Sequence, residues 1–213
     1  ILISGCSFTG NDGGGAWKVV NIGVHIKDNA QARFESYGGR PCSFANFTDA
    51  GIYATSINNF PFVSLDSTFA NCASGARLNV PTREKVTLAE DKTITCPQLS
   101  ISGGGSSTYG IIVPEGRTLS FAPGCHLKTS SYINGDAWFE VAGTVRCDDM
   151  DADVELDGTR PLFYLYNQGR LELTNSRMAI NKGGYYSDTP NRLVNMSGNS
   201  TLILDNTSIV TTT

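Results

Sequence analysis

The sequence predicts an all-β chain wound as a parallel β-helix of about seven coils, with three short strands to the coil. Three observations carry that expectation. Short alternating runs of Val, Ile, Leu, Phe and Thr, split by Gly, Asn, Asp and Ser, dominate the chain, and no long 3.6-residue apolar stripe occurs. Four apolar positions recur at i, i+2, i+8 and i+10 along the whole length. A further apolar site follows most of these quartets after a short gap. An antiparallel sandwich also offers short strands at regular spacing, but it has no reason to repeat one fixed template.

Taken in order, Ile1 and Ile3 read as the second strand of a coil whose first strand is missing. Val24, Ile26, Ala32 and Phe34 make the first full quartet. Thr55, Ile57, Val63 and Leu65 follow with one polar member. Then come Leu78, Val80, Val86 and Leu88, and after them Ile111, Val113, Leu119 and Phe121. Phe139, Val141, Val145 and Cys147 match with a connection two residues shorter. Phe163, Leu165, Leu171 and Leu173 precede the last set, Val194, Met196, Leu202 and Leu204. The third-strand sites are Phe8, Phe69, Ile94, Leu127, Val154, Met178 and Ile209. Turns with Gly sit between first and second strands, as in Ala142-Gly143-Thr144 and Asn167-Gln168-Gly169-Arg170. Period-2 alternation sends i and i+2 inward, and one coil alone has nothing to bury that face against, so the coils must stack.

The extra residues fall mainly after the third strand: 9–23, 36–54, 102–110, 128–137 and 181–192. In a solenoid, insertions at one position of the repeat line one edge, which is where function is expected. These stretches are rich in Gly, Ser and Asn and carry Trp17, Tyr109, Tyr132, Tyr185 and Tyr186, with Trp138 directly after the fourth. Aromatic rings beside Asn and Asp suit carbohydrate, because the apolar face of a sugar stacks on the ring while amides and carboxylates bind its hydroxyls. The competing role for each ring is to pin its loop to the wall. Tyr164 and Tyr166 share outward parity and read as an interface with a neighbouring chain or a sugar platform.

Asp149, Asp151, Asp153, Glu155 and Asp157 alternate with Met150, Ala152, Val154 and Leu156 and are expected to face outward together. Such a row repels itself unless a cation or basic partner intervenes. The twelve-residue calcium loop pattern is absent, so a solvated acidic ridge is expected. Asp136, Asp149, Asp151 and Asp153 are the carboxylates to test if the chain cleaves a glycosidic bond.

Several functions are excluded by composition. The net charge is −4, without Lys/Arg clusters, which argues against a nucleic-acid partner. No apolar run approaches the roughly 20 residues of a membrane span. Six scattered cysteines without a CxxC pair, and two histidines, give no zinc pattern. Cys96 and Cys147 fall on inward positions. Unpaired thiols fit folding in a reducing compartment. No phosphate loop, dinucleotide fingerprint, HExxH or nucleophile elbow occurs, and no metal or cofactor is expected. The chain opens without Met on what reads as mid-strand and ends on three threonines, so a single domain (1–213) cut from a longer chain is expected.

The runs Val113-Pro-Glu-Gly-Arg-Thr-Leu-Ser-Phe121, Leu65-Asp-Ser-Thr-Phe-Ala-Asn-Cys72 and Ser200-Thr-Leu-Ile-Leu-Asp-Asn-Thr-Ser-Ile209 resemble coils of the right-handed, single-stranded β-helices of the pectin-lyase-like superfamily, in the form of bacteriophage tailspikes and tail fibres. That resemblance implies a homotrimer in the virion tail, folded in the host cytoplasm, that binds a bacterial surface polysaccharide and in many members cleaves it. A secreted polysaccharide lyase, hydrolase or adhesin, and a structural stalk without ligand, stand as the alternatives.

Overall fold

A computed structural model describes residues 1–10, 21–28, 30–62, 67–80, 85–96, 98–103, 110–132, 137–157, 161–182 and 193–212. The chain first lays down β1 (Leu2–Ser4), β2 (Ser7–Thr9) and β3 (Ile22–Ile26), then β4 (Arg33–Glu35), β5 (Ser43–Ala45) and β6 (Ala50–Ala54). A 3-10 helix (Ile57–Phe62), β7 (Thr68–Ala70) and β8 (Ser74–Val80) follow. Five regular turns come next, each with three strands. They are β9 (Lys85–Thr87), β10 (Lys92–Ile94) and β11 (Gln98–Gly103); β12 (Gly110–Val113), β13 (Thr118–Phe121) and β14 (His126–Tyr132); and β15 (Phe139–Val141), β16 (Thr144–Asp148) and β17 (Asp151–Asp157). The last two are β18 (Phe163–Leu165), β19 (Arg170–Thr174) and β20 (Arg177–Lys182), then β21 (Val194–Met196), β22 (Thr201–Asp205) and β23 (Ser208–Thr212).

Every ladder between these strands is parallel, and each strand pairs with its counterpart one turn away. The first strands of the regular turns form one sheet, β9-β12-β15-β18-β21, and the second strands another, β10-β13-β16-β19-β22. The third strands form a continuous eight-stranded sheet running β3-β6-β8-β11-β14-β17-β20-β23. In the N-terminal portion the other walls are shorter sheets, β1-β4 and β2-β5-β7. The chain is a parallel β-solenoid.

Five turns carry all three strands in one register, fewer than the seven coils read from the sequence, because the template was misplaced near the N-terminus. Leu78 lies in β8, in the long third sheet opposite Ala54 and Ile101, so Leu78 and Val80 are not a first strand. The first strand of that turn is β9, with Val86 against Ile111, and Ile94 is a second-strand residue against Phe121. Val24 and Ile26 likewise belong to the third sheet, while Phe34 lies in β4, on the next wall. Ile57 opens the 3-10 helix; Val63 and Leu65 lie outside the described residues. Residues 36–54 are not an insertion, since they hold β5 and β6. The physical reason is common to all: an i, i+2, i+8, i+10 spacing reports two strands and a corner, but not which corner.

The core is built from stacked like residues. Phe139 stacks on Phe163 at 5.2 Å and meets Phe121 and Phe60 edge-on at 6.0 and 6.2 Å. In β2, β5 and β7, Phe8, Phe44 and Phe69 form a second stack at 4.9 and 5.3 Å. Parallel in-register pairing forces this, because each residue sits above its own counterpart.

In five turns the corner from the second wall to the third is turned by one left-handed residue directly after the strand. Asn46, Asn71, Asp149, Asn175 and Asn206 have φ of 62, 52, 50, 49 and 45°. Asn and Asp tolerate this region better than other side chains. Stacking then places amide on amide: Asn71 Nδ2 donates to Asn46 Oδ1 (3.1 Å) and Asn206 Nδ2 to Asn175 Oδ1 (2.8 Å).

All six cysteines are free; Cys42, Cys96, Cys125 and Cys147 are buried, Cys72 half-buried and Cys6 exposed. Burial pushes the Cys96 and Cys125 thiols up to about 12 and raises Cys147 as well. A thiol reagent at neutral pH is expected to modify Cys6 at once, Cys72 slowly and the other four only on unfolding; rapid reaction of all six in the native state refutes the packing. These raised values favour the folded state fully below ~8.5, the thiol value in unfolded chains. The advantage is lost as pH rises towards about 12. The loss is on the order of 1 kcal/mol per pH unit per thiol. The urea midpoint should therefore fall between pH 8 and pH 10.

Candidate functional site: the outer face of the long sheet

In the five regular turns the connections between the second and third walls are short, such as Asn175-Ser176 and Asn206-Thr207, whereas those leading into and between these turns from the third wall span 81–84, 104–109, 133–138, 158–162 and 183–193. Nearer the N-terminus the long connection 10–21 instead joins β2 to β3. Among the regular turns, length variation thus gathers along one edge of the eight-stranded sheet. The outward positions of that sheet stack into polar columns. One runs His25, Tyr53, Arg77, Ser100, Lys128 and Asp153. Its neighbour runs Gln98, His126, Asp151 and Arg177.

Within these columns the side chains hold one another across turns. Arg77 Nη1 donates to Asp49 Oδ1 at 2.8 Å, and its guanidinium lies over the Tyr53 ring at 5.6 Å. Asn79 Nδ2 donates to the Tyr53 hydroxyl (2.9 Å), and Ser102 Oγ donates to Asn79 Oδ1 (3.2 Å). Tyr53 also meets His25 edge-on at 4.9 Å. Small residues follow on the next positions: Ser74 and Ser100 share a hydrogen bond at 3.0 Å. Where small serines stand between long neighbours, the wall sinks into a cleft of about 320 Å³ lined by Ser74, Arg77, Gln98, Ser100, Ser102 and Lys128. A second depression of about 290 Å³ adjoins it through Gln98 and reaches Asn71, Gly75 and His126.

Two turns further on, Arg177 binds Asp151 at 2.9 Å and Asp153 at 3.7 Å, and His126 Nε2 lies 3.2 Å from Asp153 Oδ2. Asp151 beside Arg177 raises the guanidinium above its ordinary value. Within the acidic row expected here, Asp151 and Asp153 are therefore paired with basic groups, while the side chains of Glu155 and Asp157 lie outside the described residues. Asp149 is off that face altogether, at the left-handed corner, where its carbonyl accepts from Gly124 N–H at 2.9 Å. The structure brings Asp151 and Asp153 together; Asp136 lies outside the described residues.

Of the aromatic candidates, Trp17, Tyr109, Tyr185 and Tyr186 lie outside the described residues, and Tyr132 is described only by its backbone at the end of β14. Trp138 is fully buried in the core cluster, just before β15, so it offers no ring face to a ligand. The apolar cost of exposing an indole at the base of a turn explains the outcome: it seals the wall. On the first wall, Tyr164 and Tyr166 stack on each other at 5.6 Å, both half-buried, with Tyr164 hydrogen-bonded to Ser197 (3.1 Å). Burial and then the Glu140 charge push Tyr166 up; Glu140 itself holds Lys85.

Sequence reasoning missed Asp49, Tyr53, Arg77, Gln98, Ser100 and Lys128. Their signal was present as polar residues at alternate positions of the long strands, Arg77/Asn79, Gln98/Ser100/Ser102 and His126/Lys128. The arrangement offers hydrogen-bond donors, acceptors and two cations on a rigid floor, the chemistry that binds a polyhydroxylated chain. No family model, no curated protein and no solved structure matches the chain.

Proposed function

We propose that the chain is the glycan-recognising β-helix domain of a bacteriophage tailspike or tail fibre, working as a homotrimer in the virion tail on a bacterial surface polysaccharide. The observation that carries this reading is the Ser74–Arg77–Gln98–Ser100–Lys128 cleft on the face of a rigid parallel ladder, beside the edge where the long connections gather. Strands fix side chains more firmly than loops do, so an extended sugar chain meets a pre-set row of donors and acceptors at little ordering cost. Asp151 and Asp153 would lie on the path of the same chain, which is how cleavage would enter this reading.

The test is binding to a panel of purified capsular polysaccharides and lipopolysaccharide O-chains, with sedimentation to count subunits. Ser100→Trp fills the cleft without removing an ion pair and is expected to weaken binding at least tenfold. Alanine at Tyr164 and Tyr166 should leave it unchanged. Equal binding by the Ser100→Trp protein moves the site elsewhere; a chain that binds none of the panel is a stalk.

A further inference from the structure

The charge of this cleft runs against that of the molecule. The chain as a whole is acidic, at −4, yet the residues lining the cleft include two cations, Arg77 and Lys128, and no carboxylate. Arg77 is set in place before any ligand arrives. Asp49 holds one edge of the guanidinium and Tyr53 its face, while Asn79, itself held by Ser102, holds the Tyr53 hydroxyl. One Nη1 bond uses only part of a fork of five donors, so Arg77 keeps N–H groups for a second anion. Lys128 is exposed and follows Ser100 in the same column; Asp153, its neighbour on the next turn, is engaged by His126 and Arg177, and no ion pair to Lys128 forms among the described residues. A neutral sugar needs neither cation, and Asp49, the carboxylate that holds Arg77, lies outside the lining, so the two cations leave the cleft itself positive.

Resting on the glycan reading above, we propose that the cleft takes an acidic sugar unit, its anionic group seated between Arg77 and Lys128 and its hydroxyls on Ser74, Gln98 and Ser100. The serine floor suits this geometry: hydroxyls donate or accept by rotation and leave room for a pyranose-sized unit. The anionic oxygens belong either to the carboxylate of a uronate or to a phosphodiester linking neutral units, and both present a pair of oxygens to the guanidinium fork.

The experiment is titration calorimetry of the full chain with three probes: a hexuronate oligosaccharide, the same oligosaccharide with its carboxyls reduced to alcohols, and a glycerol-phosphate oligomer. Lys128→Gln removes a solvent-facing charge and keeps the fold; Arg77→Gln is checked by its thermal transition. Binding of the uronate or of the phosphodiester, at least tenfold weaker in either variant and at about 0.5 M salt, where screening falls to ~4 Å, supports the anionic seat and identifies its source. Equal binding of the reduced oligosaccharide, unmoved by Lys128→Gln, overturns the anionic seat and leaves glycan recognition standing. Silence from all three probes, together with binding of neutral O-chains from the wider panel, also overturns the seat alone. Silence from every glycan overturns both.

Discussion

Phe139→Ala is expected to destabilise the chain by about 3–5 kcal/mol, the usual cost of emptying a buried phenylalanine site. Phe139 is fully buried and joins two turns and two walls, stacked on Phe163 and edge-on to Phe121 and Phe60. The neighbours are pinned by in-register backbone ladders on both sides, β12 and β18, so the cavity has little freedom to collapse. A Phe139→Leu control refills most of the volume and should cost less than ~1.5 kcal/mol. Urea unfolding followed by far-ultraviolet circular dichroism measures both. An alanine variant within about 1 kcal/mol of the parent would mean that the stack is not in the core.

The second large effect is expected at a backbone contact. Gly169 sits where the first wall turns into the second, directly over Val141 of the preceding turn. A Cβ on Gly169 would come within 2.0 Å of the Val141 carbonyl oxygen and 3.0 Å of Tyr166 oxygen. The Val141 oxygen has nowhere to go, because it accepts from Tyr166 N–H at 3.0 Å. Gly169 N–H donates in turn to Tyr166 oxygen, and Gly169 oxygen accepts from Thr201 N–H, both at 2.9 Å. Gly169→Ala should therefore strain or break two or three backbone bonds and cost about 2–4 kcal/mol, combining overpacking with lost hydrogen bonds. Gly116, with open space around it, makes the contrast in crowding. A Gly169→Ala protein as stable as the parent would show that the turns are not this close.

Much of the architecture was legible because parallel stacking writes itself into sequence as repetition. From Ile111 onward every quartet falls where the spacing placed it, and the Gly-containing corners at 142–143 and 167–169 are where they were expected. The N-terminal turns were read one strand out of phase, since the β1-β4 and β2-β5-β7 walls are short and the 3-10 helix at Ile57 replaces a strand. The site was harder to see. Arg177 and Asp151 are 26 residues apart and Arg77 and Asp49 are 28 apart, so each pair exists only after the turns stack. A polar residue on an outer strand face looks the same in sequence whether it meets water or a guanidinium. Asp151 and Asp153 stand out in sequence because they belong to a contiguous acidic run, whereas Arg177, which pairs with both, does not. Trp138 had the opposite fault, for its Asn- and Gly-rich flank disguised a core residue.

The absence of hairpins among the described strands sets the order in which this molecule can assemble. No strand can find its partner until the chain has travelled a full circuit, so the first pairing closes a long loop before it gains any contact. Once two turns exist, the next strand meets a finished template and adds cheaply. Refolding should therefore show a slow, temperature-sensitive nucleation step followed by rapid zippering. The aromatic stack around Phe139 is a natural seed, and a growing end exposes one open row of amides and carbonyls at a time.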